Sequence, residues 1–87
     1  MKQNKTFKDK LGQLLKEIRL KKRLSQQQVA DEGKIARSYI SRIEGGYVKS
    51  ISLLTIFRFA KGLKIPSPEL FKLIIKRCGE FDIIEDY

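Results

Sequence analysis

Arg37, Ser38 and Arg42 lie in the stretch IARSYISRIEGG, and their types and spacing suggest chemistry. At about 100° per residue, Ala36, Ile40 and Ile43 share one stripe of a helix, and Ser38, Ser41, Arg42 and Gly45 fall opposite. Such a short, basic, hydroxyl-bearing ridge suits hydrogen bonds to base edges and phosphates, an arginine being the usual partner of guanine. Enzyme chemistry finds no comparable set of residues. The chain has no histidine, so imidazole base catalysis is excluded, and no nucleophile–base pair can be drawn. Cys78 is the single thiol, which rules out an intrachain disulfide and a Cys/His metal cluster. The six glycines do not form a phosphate-binding loop. No catalytic residue, metal or cofactor is expected.

Two helices must position that ridge. Ser25 and Gln28 have capping-box spacing, and Leu24 and Val29 stand where a hydrophobic staple would clamp the entering chain. Gly33 lies where this first helix should stop. A second helix opens near Ala36 and ends at Gly45-Gly46, glycine being favoured where a helix exits through a left-handed residue.

The stretch from Leu24 to Gly46 resembles the helix-turn-helix of phage repressor and Cro proteins. Leu24, Ser25, Gln26, Val29, Ala30, Ile35, Ile40, Ser41, Ile43, Glu44 and Gly46 match that family's pattern at the expected spacing. The likeness extends more weakly over residues 11–73. It implies an all-α, five-helix repressor-like domain with the helix-turn-helix at helices 2 and 3. It also implies an ion pair between Arg19 and Glu44 that joins the first helix to the recognition helix. Gln26 would hold a phosphate, and Tyr47, Lys49 and Ser50 would follow the DNA backbone after the recognition helix. Two positions depart from the pattern: Lys34 stands where members usually carry glycine, and Ala36 where they carry a Ser or Thr cap. A positive φ is uncommon for lysine, so the turn is expected to be reshaped by a residue. The missing cap is expected to cost about 1 kcal/mol.

The whole chain fits this reading. Its 87 residues make one domain able to bury a core without metals or disulfides. Net charge is +9, and Glu80, Asp82, Glu85 and Asp86 crowd the last eight residues, leaving 19 basic against 6 acidic side chains elsewhere. That asymmetry suggests a polyanionic partner for the body. Nothing resembles a signal peptide or a membrane span, so a cytoplasmic, nucleoid-associated protein is expected.

Residues 1–6 read as a flexible basic N-terminus, 7–77 as the helix-turn-helix domain, and 78–87 as an acidic and apolar tail. Phe7, Leu11, Leu14, Leu15 and Ile18 recur at helical spacing, predicting a first helix to about Arg23. A fourth helix, Ser52 to Leu63, places Leu53, Ile56, Phe57, Ala60 and Leu63 inward. Ser67-Pro68-Glu69 reads as a cap, a fixed φ and an acid that open a fifth helix. That helix carries apolar residues over more than half its circumference, and Phe81, Ile83, Ile84 and Tyr87 alternate with acids beyond it. Leu70, Phe71, Ile74, Ile75, Phe81 and Ile83 are therefore expected to form a homodimer interface, with a tail folded back on its own domain as the alternative. The acidic tail should lie on the side away from the duplex. The function expected is a sequence-specific DNA-binding transcriptional regulator, a repressor, reading a roughly palindromic operator as a homodimer. It could resemble the small controller proteins of restriction–modification systems. The alternative is an antitoxin that represses its own operon and meets a basic protein partner through the tail.

Overall fold

Thr6 opens α1 (Phe7–Lys21) with a capping box: its Oγ1 accepts from the Asp9 N–H, and the Asp9 carboxylate accepts from the Thr6 N–H. Thr6 is expected in a flexible terminus, whereas it fixes the helix start. The computed structural model describes residues 6–79 and the pair 83–84. α2 (Gln26–Gly33) starts with the expected box of Ser25 and Gln28. α3 (Arg37–Glu44) follows Ala36, which has no side-chain cap bond. β1 (Ile51–Ser52) leads into α4 (Leu53–Leu63), whose N-cap Ser52 accepts from the Thr55 N–H. α5 (Ser67–Cys78) starts one residue earlier than expected. Pro66 is its N-cap and Ser67 is already helical, with the Pro66 carbonyl accepting from the Glu69 and Leu70 N–H groups.

One core joins all five helices, centred on Phe59, Leu11, Leu15, Ile40, Leu63 and Leu70. Glycines let two helix pairs approach backbone to backbone. A Cβ on Gly33 would collide with the Arg58 carbonyl, and one on Gly62 with the Val29 carbonyl, so α2 and α4 are locked at two points. This contact sets the rotation of α4 and corrects the expected inner face. Ile56, Phe59, Ala60 and Leu63 are buried, and Leu53 and Phe57 are exposed. Apolar residues ring α4, so periodicity alone could not choose the inner side; the glycine contacts do.

The expected dimer interface needs a similar correction. Leu70 and Ile74 are 0% exposed within one chain, because α5 packs on α1 and α4 and buries that stripe itself. Both are core residues. Phe71 is half-buried and Ile75 stays exposed. Phe81 and the side chain of Ile83 lie outside the described residues.

The backbone of β2 (Ile83–Ile84) pairs in parallel with β1, Ile51 opposite Ile83 and Ser52 opposite Ile84. The tail at these two residues is thus laid on its own domain, beside the strand that continues from the loop after α3. Glu80, Asp82, Glu85 and Asp86, the acids expected on the side away from the duplex, lie outside the described residues. No helix among the described residues is long and apolar enough to cross a membrane.

Candidate nucleic-acid interface

The turn between α2 and α3 is built around Lys34. It takes the left-handed conformation (φ 59°, ψ 44°) and sends its N–H to the Ala30 carbonyl. The left-handed residue therefore sits at the position where the resembling family carries glycine, and the turn is not shifted. Gly33 is the last residue of α2, and α4 leaves no room there for a Cβ. A left-handed lysine costs about 1–2 kcal/mol.

Behind α3, Arg19 and Glu44 form a bidentate pair: Nε to Oε2 at 2.7 Å and Nη2 to Oε1 at 3.0 Å. Their side chains are 9% and 3% exposed. Arg19 Nη1 also donates to the Leu24 carbonyl at 2.8 Å, and Gln26 Nε2 donates to Glu44 Oε1 at 3.1 Å. A single carboxylate at the C-terminal end of α3 thus ties together α1, the start of α2 and α3. Gly12 adds a backbone contact, since a Cβ there would strike the Ile43 and Glu44 carbonyls. These contacts hold α3 at one tilt relative to α1.

The outer side of α3 is open. Arg37, Ser38, Ser41 and Arg42 are exposed, while Ile40 and Ile43 are 0% and 1% exposed beneath them. Ala36 gives the first N–H groups of α3 no side-chain partner. Tyr47 is 75% exposed, with its ring against Gly45 and its N–H on the Arg42 carbonyl. Lys49 is exposed and Ser50 half-buried in the same loop. Gln26 differs from the rest. Its amide is engaged by Glu44, so a phosphate at this point would meet the backbone N–H groups at the start of α2 and the second amide hydrogen.

Sequence reasoning passed over Tyr39. It lies one residue beyond Ser38, half-buried and packed against the core, so its ring borders the exposed ridge. Its place beside Arg37 and Ser38 was the available signal. No group of His, Cys, Asp or Glu among the described residues could hold a metal ion.

Comparison with known proteins agrees with this geometry. The profile of the Helix-turn-helix family matches residues 15–70, well over half the chain. The restriction-modification controller protein C.AhdI from Aeromonas hydrophila is 39% identical, with a TM-score of 0.66, over 74% of this chain and 96% of that one. The controller protein C.Esp1396I, solved as a tetramer in complex with its natural 35 base-pair operator, is 26% identical with a TM-score of 0.74. That match covers 88% of this chain and 100% of the other. Variants of C.Esp1396I have also been solved in which an arginine, the threonine after it and the tyrosine after that are replaced. The present α3 begins with the series Arg37-Ser38-Tyr39. No curated protein sequence matches. The chain belongs to the helix-turn-helix family, Cro/C1-type, and stands among the restriction–modification controller proteins.

Proposed function

We propose that this protein is a sequence-specific, DNA-binding transcriptional regulator that controls restriction–modification genes, acting by binding and not by catalysis. One observation carries the reading: Arg37, Ser38 and Arg42 share the open side of a helix whose other side is fixed by Ile40, Ile43 and the Arg19–Glu44 pair. A ridge held rigidly in this way enters a major groove without first being ordered. Arg37 and Arg42 meet guanine edges and Ser38 an adjacent base, while Tyr39 supports the ridge from its flank. Tyr47, Lys49, Ser50 and the start of α2 at Gln26 hold the phosphates that set the register.

The reading unit is a homodimer. Leu53, Leu54, Phe57 and Ile75 are between 41% and 50% exposed on α4 and α5. Phe57 meets Phe71 edge-on with ring centroids 5.5 Å apart, giving the patch an aromatic centre. A contiguous apolar patch of this kind marks an interface. Two copies related by a twofold axis read half-sites about one helical turn apart, so the operator is roughly palindromic. C.Esp1396I binds its natural operator as a tetramer, and nothing in the fold or the comparisons favours the antitoxin reading.

The test is selection of bound duplexes from a random DNA pool, followed by titration of the enriched site. A palindromic consensus is expected, and Arg42→Ala should weaken specific binding by about 1–3 kcal/mol and non-specific binding less. A pool that returns no consensus would sink the reading. Equal losses on both DNAs would move Arg42 to the phosphate class.

A further inference from the structure

We propose that Lys8 and Lys49 form a second, rigid phosphate clamp that grips the DNA backbone outside the helix-turn-helix. This inference rests on the DNA reading above, in which Lys49 already meets the backbone, and adds Lys8 as a second cation beside it. Thr6, Phe7, Lys8 and Lys49 line one cleft of about 260 Å³ between the first turn of α1 and the loop after α3. The two lysines are 41 positions apart in sequence, yet they border the same space.

The cleft is held in a fixed relation to α3. Gly46 has φ 82° and packs so tightly on the first turn of α1 that a Cβ would lie 2.7 Å from Asp9 Oδ1. Three residues on, the same loop presents Lys49. Gly12 locks α1 to the end of α3 in turn. Lys8 therefore belongs to the same rigid frame as the reading helix. Its half-buried stem limits where the ammonium can go.

The charge balance points to an anion. The residues lining the cleft include no acid. Asp9, the acid of that turn, accepts from the Thr6 hydroxyl at 2.9 Å and from the Thr6 N–H at 3.3 Å. Two cationic residues border one cleft, and an anion placed between them is attracted by both. The occupant is a phosphodiester of the duplex, because the cleft adjoins the loop carrying Tyr47, Lys49 and Ser50. A phosphate bound there is the one Lys49 meets, and Lys8 strengthens the grip on it without reading sequence.

The experiment measures log affinity against log salt for wild type, Lys8→Gln, Lys8→Arg and Lys72→Gln, on the selected operator and on an unrelated duplex. Lys72 is an exposed cation on α5, which packs against α1 and α4. It reports what losing one positive charge does away from the cleft. Lys8→Gln should reduce the slope by about 0.9 per protomer on both DNAs. Lys8→Arg should restore it, and Lys72→Gln should leave it near wild type. If Lys8→Gln and Lys72→Gln give the same slope, the clamp is overturned while the DNA reading stands. A flat salt response from wild type would overturn both.

Discussion

Replacing Glu44 with alanine is expected to destabilise the fold out of proportion to the atoms removed. Arg19 is 8% exposed, and Glu44 supplies two of its three hydrogen-bond contacts. Without that carboxylate the guanidinium keeps only the Leu24 carbonyl, a buried cation with most of its compensation gone. Breaking a buried pair from one side costs about 3–5 kcal/mol. With an m value of about 1.5 kcal/mol/M, the urea midpoint should fall by about 2–3 M. Arg19→Met should cost a similar amount, because it leaves Glu44, with a side chain 3% exposed, bonded only to Gln26. The double variant Arg19→Met, Glu44→Leu behaves differently. It strands no charge, and it loses only the bonds to the Leu24 carbonyl and the Gln26 amide, at about 1 kcal/mol each. It should lie within about 2 kcal/mol of wild type, where adding the singles would predict about 6–10 kcal/mol. Equilibrium urea unfolding at constant m decides the matter. A Glu44→Ala cost below about 1 kcal/mol, or a double variant as unstable as the sum of the singles, would refute the argument.

Three more outcomes follow from single observations. Lys34→Gly should raise stability by about 0.5–1 kcal/mol in the same assay, since it relieves a left-handed lysine and returns part of the gain to the unfolded chain; a loss would show that the turn is not strained. Cys78 is buried, and burial pushes its thiol pKa up, so the folded protein near neutral pH should be labelled by iodoacetamide only as fast as it opens. Labelling at the rate of a free thiol would contradict that burial. Ile75→Asp, at a half-exposed position, should shift the protein toward monomer in sedimentation, and a persistent dimer would place the interface elsewhere.

The reading helix was legible because its signals are local. The Ser25–Gln28 box, the Ala36-Ile40-Ile43 stripe and the closing glycines each act within a few residues of one another. Thr6 and Asp9 form a box of the same spacing, with a shorter acid than the Glu or Gln usually sought, and it went unread. Rotation of α4 was not legible: apolar residues surround it, and the choice between Phe57 and Phe59 is made by Gly33 and Gly62 touching distant carbonyls. Leu70 and Ile74 read as partner-facing for the same reason. Nothing local shows that α1 and α4 already cover them. The β1–β2 pairing is two residues long, too short to show a period. The Lys8–Lys49 cleft joins residues that only the folded chain brings together.

The placement of acids explains how one basic surface is kept available. Glu44 is held by Arg19 and Gln26 behind α3, Glu17 by Arg77 between α1 and α5, Asp31 by Gln27 on α2, and Asp9 by Thr6. The Arg77 guanidinium beside Glu17 holds that carboxyl below its ordinary pKa, so it stays ionised and paired at neutral pH. Among the described residues, Arg37, Arg42 and Lys49 take part in no ion pair. An intramolecular carboxylate on any of them would have to be displaced before a phosphate or base could bind, weakening each contact by the strength of the pair it replaced. Left unpaired, these cations hold only mobile counterions, whose release favours binding. The charge that fixes the shape of the site and the charge that meets the ligand are thus carried by different side chains. Neutralising Glu44 should therefore change stability first, and neutralising Arg42 should change affinity alone.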